Sequence, residues 1–195
     1  DRQTWVCALP PPCTSGPLGL GLTPSGVIAL GKASGLEGFG STDHNTTAAR
    51  LHWGEVQDLG FRVINGVEVT YGQGHWNIFG LDPHAWIDFR IHHNDTLRYR
   101  KVVAKARKAG RLLVATPYNL AFLYDVPPMA GLEVWHSAWS PANERPVDLW
   151  PTLLVGGHRK FPSASTDLHP RGHIPPRWGE SAPVGGAKTV FRIPV

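Results

Sequence analysis

The sequence predicts an α/β fold whose mainly parallel sheet closes toward a barrel. Two observations carry this. Short apolar segments alternate with helical patterns along the chain, the order expected when parallel strands are joined through helices. Acids and histidines also recur directly after apolar segments: Asp43 and His44, then Glu68 with His75, then Asp167 and His169. Positions at strand ends feed a site at one end of a barrel.

The elements follow in order. Residues 1–24 read as irregular, because Pro10, Pro11 and Pro12 cannot donate to a ladder and disfavour a central strand. Thr23 and Pro24 read as an N-cap and first helical position, opening a helix through Val27, Ile28, Leu30 and Gly31 that stops near Ser34 and Gly35. Residues 36–40 form a short strand leading into Thr42-Asp43-His44. Residues 47–59 are helical and Gly60 ends them. Residues 61–64 are a strand, Asn65-Gly66 a turn, and 67–71 another strand. A turn at 72–74 leads into a strand over 75–80, and 82–95 are loop. The clearest amphipathic helix spans 96–109, ended by Gly110. Residues 112–115 are a buried strand stopped by Thr116-Pro117, and 132–135 are the next. Residues 147–155 are partly helical despite Pro151, 164–166 end a strand before Asp167, and 190–193 close the chain as a strand.

Composition bounds the answer. The 195 residues show no internal repeat and no linker, so 1–195 is read as a single domain, with 1–21 atypical. Hydrophobic residues are 42%, which argues against disorder. Charged residues are 17%, with eight Trp and 18 Pro, pointing to long, aromatic-walled loops. The net charge is +4, yet no dense basic block exists. Arg98, Arg100, Lys101, Lys105, Arg107 and Lys108 read as a solvated helix face, so no nucleic-acid partner is expected. No apolar run is long enough to span a membrane. Cys7 and Cys13 do not make a zinc-knuckle spacing, and one disulfide or two free thiols both remain open. The chain starts at Asp1 rather than Met, so the compartment, cytoplasmic or periplasmic, is not legible. Neither is the oligomeric state.

Divalent metals need carboxylate oxygen and imidazole nitrogen. The candidates are His44, Glu68, His75, Asp167 and His169. Glu68 is the sharpest, since an acid inside an apolar strand needs a partner, a metal or a solvated face. The solvated face is its bland reading, because it alternates with Val67 and Val69.

These residues also carry a resemblance. Thr42-Asp43-His44-Asn45-Thr46, preceded by Ala33-Ser34-Gly35-Leu36, is similar to the second motif of the PHP (polymerase and histidinol phosphatase) superfamily. Gly66-Val67-Glu68-Val69-Thr70 with Gly74-His75 resembles its glutamate and following histidine motifs. Ser165-Thr166-Asp167-Leu168-His169 resembles its closing motif. Glu133-Val134-Trp135, Leu149-Trp150 and the Gly-His-Trp-Asn stretch look closest to the branch with bacterial carbamate hydrolases. The resemblance implies a distorted (β/α)7 TIM-like barrel, here cut short at Val195, holding two or three Zn, Mn or Fe ions. It implies a metal-dependent hydrolase that cleaves a phosphoester or a carbamate or other ester of a small-molecule substrate with metal-activated hydroxide. Its carry-over makes His44, Glu68, His75, Asp167 and His169 metal ligands, with Glu68 bridging and Asp43 orienting a ligand or water. Arg171, His173 and His136 are the candidate substrate-pocket residues.

The chain departs from the family's pattern at three places. Pro10 and Pro12 fall where an H-x-H pair belongs, and Thr116 stands where a His-Pro histidine belongs. His136, Asn119, Cys7 and Cys13 are near enough in sequence to act as substitutes. The alternative reading is therefore a degenerate, non-catalytic PHP-like binding domain.

Overall fold

A computed structural model describes residues 2–9, 24–47, 60–71, 74–82, 85–92, 94–109, 111–116, 128–167 and 186–192. The strands are β1 (Arg2–Leu9), β2 (Gly38–Ser41), β3 (Arg62–Tyr71), β4 (Gly74–Phe79), β5 (Leu112–Thr116), β6 (Gly131–His136), β7 (Phe161–Ser165) and β8 (Thr189–Arg192). The helices among the described residues are α1 (Pro24–Ala33), α2 (Thr96–Lys108) and α3 (Glu144–Val155), the last entered through a 3-10 turn at Pro141–Asn143.

The strands form one sheet in the order β7-β6-β5-β4-β3-β2-β1-β8. Pairing is parallel for β1–β2, β2–β3, β5–β6 and β6–β7, and antiparallel at β3–β4, β4–β5 and β1–β8. The sheet curls until its edges meet: Thr189 Oγ1 on β8 accepts from Ala164 N on β7 at 2.9 Å. The architecture is α/β with a curled sheet forming a partial barrel.

Two sequence expectations are corrected. Residues 2–9 are a strand, not irregular, and they pair with both β2 and β8. The strand stops at Leu9, immediately before the prolines that lack ladder donors. Asn65-Gly66 is not a turn but the middle of the ten-residue β3. There β3 changes partner: Arg62–Asn65 pair with β2, and Gly66–Tyr71 pair with β4. Glycine is needed for close approach rather than for turning. A Cβ at Gly66 would lie 2.4 Å from Ile78 O and 3.0 Å from Thr42 Cγ2.

Alternation along β3–β6 separates two faces. Val67, Val69, Trp76, Ile78, Leu113, Ala115 and Leu132 form an apolar cluster with Tyr99, Val103 and Ala106 of α2. Each fully buried Val, Leu or Ile side chain among them contributes about 1.5–3 kcal/mol. The α2 N-terminus is capped by Asp95, whose side chain accepts from Arg98 N at 2.9 Å, and Lys105, Arg107 and Lys108 complement the dipole at its other end. Phe39 of β2 packs on Phe61 at 5.4 Å, and Gly31 of α1 lies against the Phe61 ring. The opposite face of β3–β6 carries Glu68, Thr70, His75, Asn77, Thr116 and Glu133, all near one end of the sheet.

Candidate metal centre

β2 ends at Ser41, and the chain runs on beside β3. Glu68 N donates to Asp43 O at 3.0 Å, and Asn45 N donates to Glu68 O at 2.9 Å. His44 and Glu68 thereby form an isolated parallel bridge. Asn45 takes a left-handed backbone (φ 56), which asparagine tolerates better than most residues. Its amide brackets Thr70, donating to Thr70 O at 3.1 Å and accepting from Thr70 N at 2.9 Å.

The antiparallel β4 sets His75 opposite Thr70 and Asn77 opposite Glu68. His75 Nδ1 lies 2.5 Å from Glu68 Oε1, and His44 Nδ1 lies 3.8 Å from the same oxygen. Thr70 Oγ1 sits between the rings, 2.6 Å from His44 Nδ1 and 3.5 Å from His75 Nδ1. One ligand atom from each of His44, Glu68 and His75 falls within 4.8 Å of the other two. Glu68 is 3% exposed, whereas His44 and His75 are 39% and 31% exposed. A buried carboxylate thus forms the floor and two imidazoles the rim. The solvated-face reading of Glu68 does not hold: the strand turns its acid inward, where a charge requires a partner. Two nitrogens and one carboxylate oxygen are a donor set that fits a divalent ion such as zinc or manganese.

A second cluster lies farther along the same face. The β6–β7 register shifts between Glu133 and Trp135. That irregularity brings His136 onto the face of Glu133, although the two are three residues apart. His136 Nδ1 lies 2.6 Å from Glu133 Oε1, and its Nε2 lies 3.1 Å from Asp167 Oδ2. Glu133, 1% exposed, also accepts from Ser165 Oγ at 2.6 Å and from Thr116 Oγ1 at 3.3 Å. Burial alone would lower the His136 pKa. The charges and hydrogen bonds of Glu133 and Asp167 outweigh it and hold the ring well above its ordinary 6.5. Asn143, 3% exposed, fixes the His136 backbone, accepting from its N at 2.7 Å and donating to its O at 3.3 Å.

Asn45, Ser137 and Asp167, at φ 56, 58 and 45, are the non-glycine residues with positive φ among the described residues. Each either belongs to a cluster or directly follows a cluster histidine. Strained backbone of this kind concentrates where side chains are aimed for function.

Of the residues singled out from sequence, His44, Glu68 and His75 come together, and Asp43, next to His44 in the chain, is buried at 5% exposed. Asp167 and His136 meet each other. His169, Arg171, His173, Pro10, Pro12, Cys13 and Asn119 lie outside the described residues. Thr116 is buried and accepts from Asn77 Nδ2 at 3.1 Å. Glu133, Thr70, Asn77 and Ser165 are participants that the sequence reading did not name as site residues. Glu133 carried the same signal as Glu68, an acid between apolar strand residues.

No family model and no curated protein matches the chain. Two solved structures share its fold. A candidate metal-dependent phosphoesterase of Bifidobacterium adolescentis is 18% identical, with TM-score 0.58, over 77% of this chain and 84% of that one. An amidohydrolase of Chromobacterium violaceum with bound sulfate and no metal is 15% identical, with TM-score 0.55, over 97% and 90%. At these identities the likeness is one of fold. No helix among the described residues is long and apolar enough to cross a membrane.

Proposed function

We propose that this chain is a metal-dependent hydrolase of the PHP type, with a distorted (β/α)7-like barrel, acting on a phosphoester or a carbamate or other ester of a small molecule rather than on nucleic acid. The observation that carries the reading is the convergence of His44, Glu68 and His75 within 4.8 Å at one end of the curled sheet. Glu68 supplies buried charge, and the two half-exposed histidines complete the donor set toward solvent. A divalent ion held by His44, Glu68 and His75 would supply Lewis acidity to the scissile bond and to an attacking water.

The chain's own residues prepare that chemistry. Thr70 Oγ1, 2.6 Å from His44 Nδ1 and 3.5 Å from His75 Nδ1, helps orient both rings, while the Glu68 carboxylate, 2.5 Å from His75 Nδ1, is that ring's nearer partner. Asn45 fixes Thr70 through two backbone hydrogen bonds. Asp43 holds the strand extension that seats His44, since its carbonyl accepts from Glu68 N. Asp167 enters through His136 rather than through the first group, and His136 lines the substrate side.

The test is hydrolysis of a nitrophenyl phosphate and a nitrophenyl carbamate, before and after a chelator, in the wild type and in His44→Ala. Chelator-sensitive turnover lost in the variant supports the proposal; turnover unaffected by both overturns it. A second reading, a binding domain without catalysis, is favoured by Thr116. Its hydroxyl is built into a hydrogen-bonded row where the resemblance expects a histidine. That reading is distinguished by tight metal binding with no turnover on either substrate.

A further inference from the structure

Helix α2 turns Tyr99, Val103 and Ala106 into the core, on the side of the sheet opposite the metal centre. Its remaining face carries Arg98, Arg100, Lys101, Lys105, Arg107 and Lys108 and no acid. Six positive charges on one helix exceed the net +4 of the whole chain. Read from sequence these cations make a solvated face; the fold adds what stands beside them. A cavity of about 420 Å³ runs along the flank of α2, where Lys101 and Lys105 meet Leu97 and Val102. The two acids in its lining are already committed. Asp88 pairs with Arg90 and Arg98, and the Asp95 side chain accepts from Arg98 N at 2.9 Å. Lys101 and Lys105, about one turn apart, have no carboxylate partner among the described residues.

Two large apolar side chains stand out from the same region. Leu97 is 64% exposed and Trp86 is 57% exposed. Trp86 is tied to the helix: the Arg90 guanidinium lies 5.2 Å from its ring centre, Arg90 pairs with Asp88, and Asp88 pairs with Arg98 in the first turn of α2. We propose that this face of α2, with the loop carrying Trp86, docks the chain on an anionic lipid surface. Lys101 and Lys105 meet lipid phosphates in the cavity, the other cations of α2 add attraction, and Leu97 and Trp86 enter the boundary between headgroups and acyl chains. The charges alone would suit nucleic acid as well. The apolar pair decides for lipid, because hydrocarbon rewards an aliphatic side chain and a sugar-phosphate backbone does not. The inference is independent of the hydrolase reading.

The experiment is co-sedimentation of the full chain with vesicles of phosphatidylcholine alone and of phosphatidylcholine mixed with phosphatidylserine. The wild type is compared with Lys101→Gln/Lys105→Gln and with Trp86→Ser/Leu97→Ser. The expected result is salt-sensitive binding to the anionic vesicles only. It should weaken about 10–30-fold without the two lysines and about tenfold or more without the apolar pair. No binding, equal binding to both vesicle types, or undiminished binding in either variant overturns the inference. A chain held by duplex DNA and not by the vesicles overturns it in favour of nucleic acid. Release from vesicles by inorganic phosphate, beyond that by sodium chloride of equal ionic strength, overturns it in favour of free phosphate. Lys101→Ala/Lys105→Ala, with alanine's higher helix propensity, is measured alongside, and whichever lysine pair keeps the wild-type circular dichroism decides.

Discussion

Glu68 and Glu133 stand three strands apart on one face of the sheet and are linked by a continuous polar row. Glu68 lies opposite Asn77, Asn77 Nδ2 donates to Thr116 Oγ1 at 3.1 Å, and Thr116 Oγ1 donates to Glu133 Oε2 at 3.3 Å. Each glutamate is buried between apolar strand neighbours, with a histidine nitrogen 2.5–2.6 Å away. The chain uses one device twice and gives the two copies different companions. Glu68 has two histidines at the rim, whereas Glu133 shares one histidine with Asp167.

Thr70 touches both rim histidines without being a ligand. Thr70→Val keeps the shape and removes the hydroxyl. It is expected to weaken divalent-metal affinity about 10–100-fold, the usual effect of deleting a partner that orients ligands. His44→Ala should weaken it further. Metal titration followed by calorimetry checks both, and unchanged affinity in Thr70→Val would show that the hydroxyl does not orient the rings.

Glu133 bonds His136, Ser165 and Thr116 at once. Glu133→Ala leaves His136 facing a void and is expected to cost about 3–5 kcal/mol of stability, as when a buried pair loses one partner. Glu133→Gln keeps an acceptor and should cost distinctly less. Urea unfolding of the two variants gives the comparison, and equal losses would contradict the role of the charge.

Glycine substitutions should separate two causes. Gly66→Ala pushes a methyl to 2.4 Å from the Ile78 carbonyl oxygen, a backbone atom that cannot yield without moving β4. The loss is expected at about 1–3 kcal/mol or above, the overpacking range. Gly35→Ala meets no atom within 4 Å but sits at φ 72, so only backbone strain of about 1–2 kcal/mol is expected. Thermal melts would rank Gly66→Ala as the more damaging, and the reverse order would argue against the close approach of β3 and β4.

Asp88 accepts from Arg90 Nε at 3.0 Å and also pairs with Arg98 of α2. The Arg90 hydrogen bond, with Arg98 adding to it, lowers its pKa from 3.8 to about 2. A carboxylate with a depressed folded pKa stabilises the fold above its unfolded value and loses that contribution as pH falls through the folded one. The stability difference between the wild type and Asp88→Asn should therefore be full above about pH 5, shrink as pH falls through about 4 and 3, and be lost only below about pH 2. Denaturant midpoints across that range test it, and a difference that keeps its full size down to about pH 2 would rule out Asp88 as the titrating group.

What the sequence determined was local. Pro24, Gly35, Asp95 and the apolar alternation around Glu68 and Glu133 set helix starts, stops and strand faces, because those depend on backbone geometry and on neighbours a few residues away. The pairing of an acid with histidines at strand ends was legible for His44, Glu68 and His75. Tertiary structure alone decided the rest. Asn65-Gly66 carries turn chemistry, yet pairing with β2 at Asn65 and with β4 at Gly66 keeps it extended. A strand occupies residues 2–9 because β2 and β8 supply its partners. His136 faces Glu133 only because the β6–β7 register slips by a residue, and a slip in register inverts which face a side chain occupies. No spacing in the sequence records that slip, since it arises from how two strands meet.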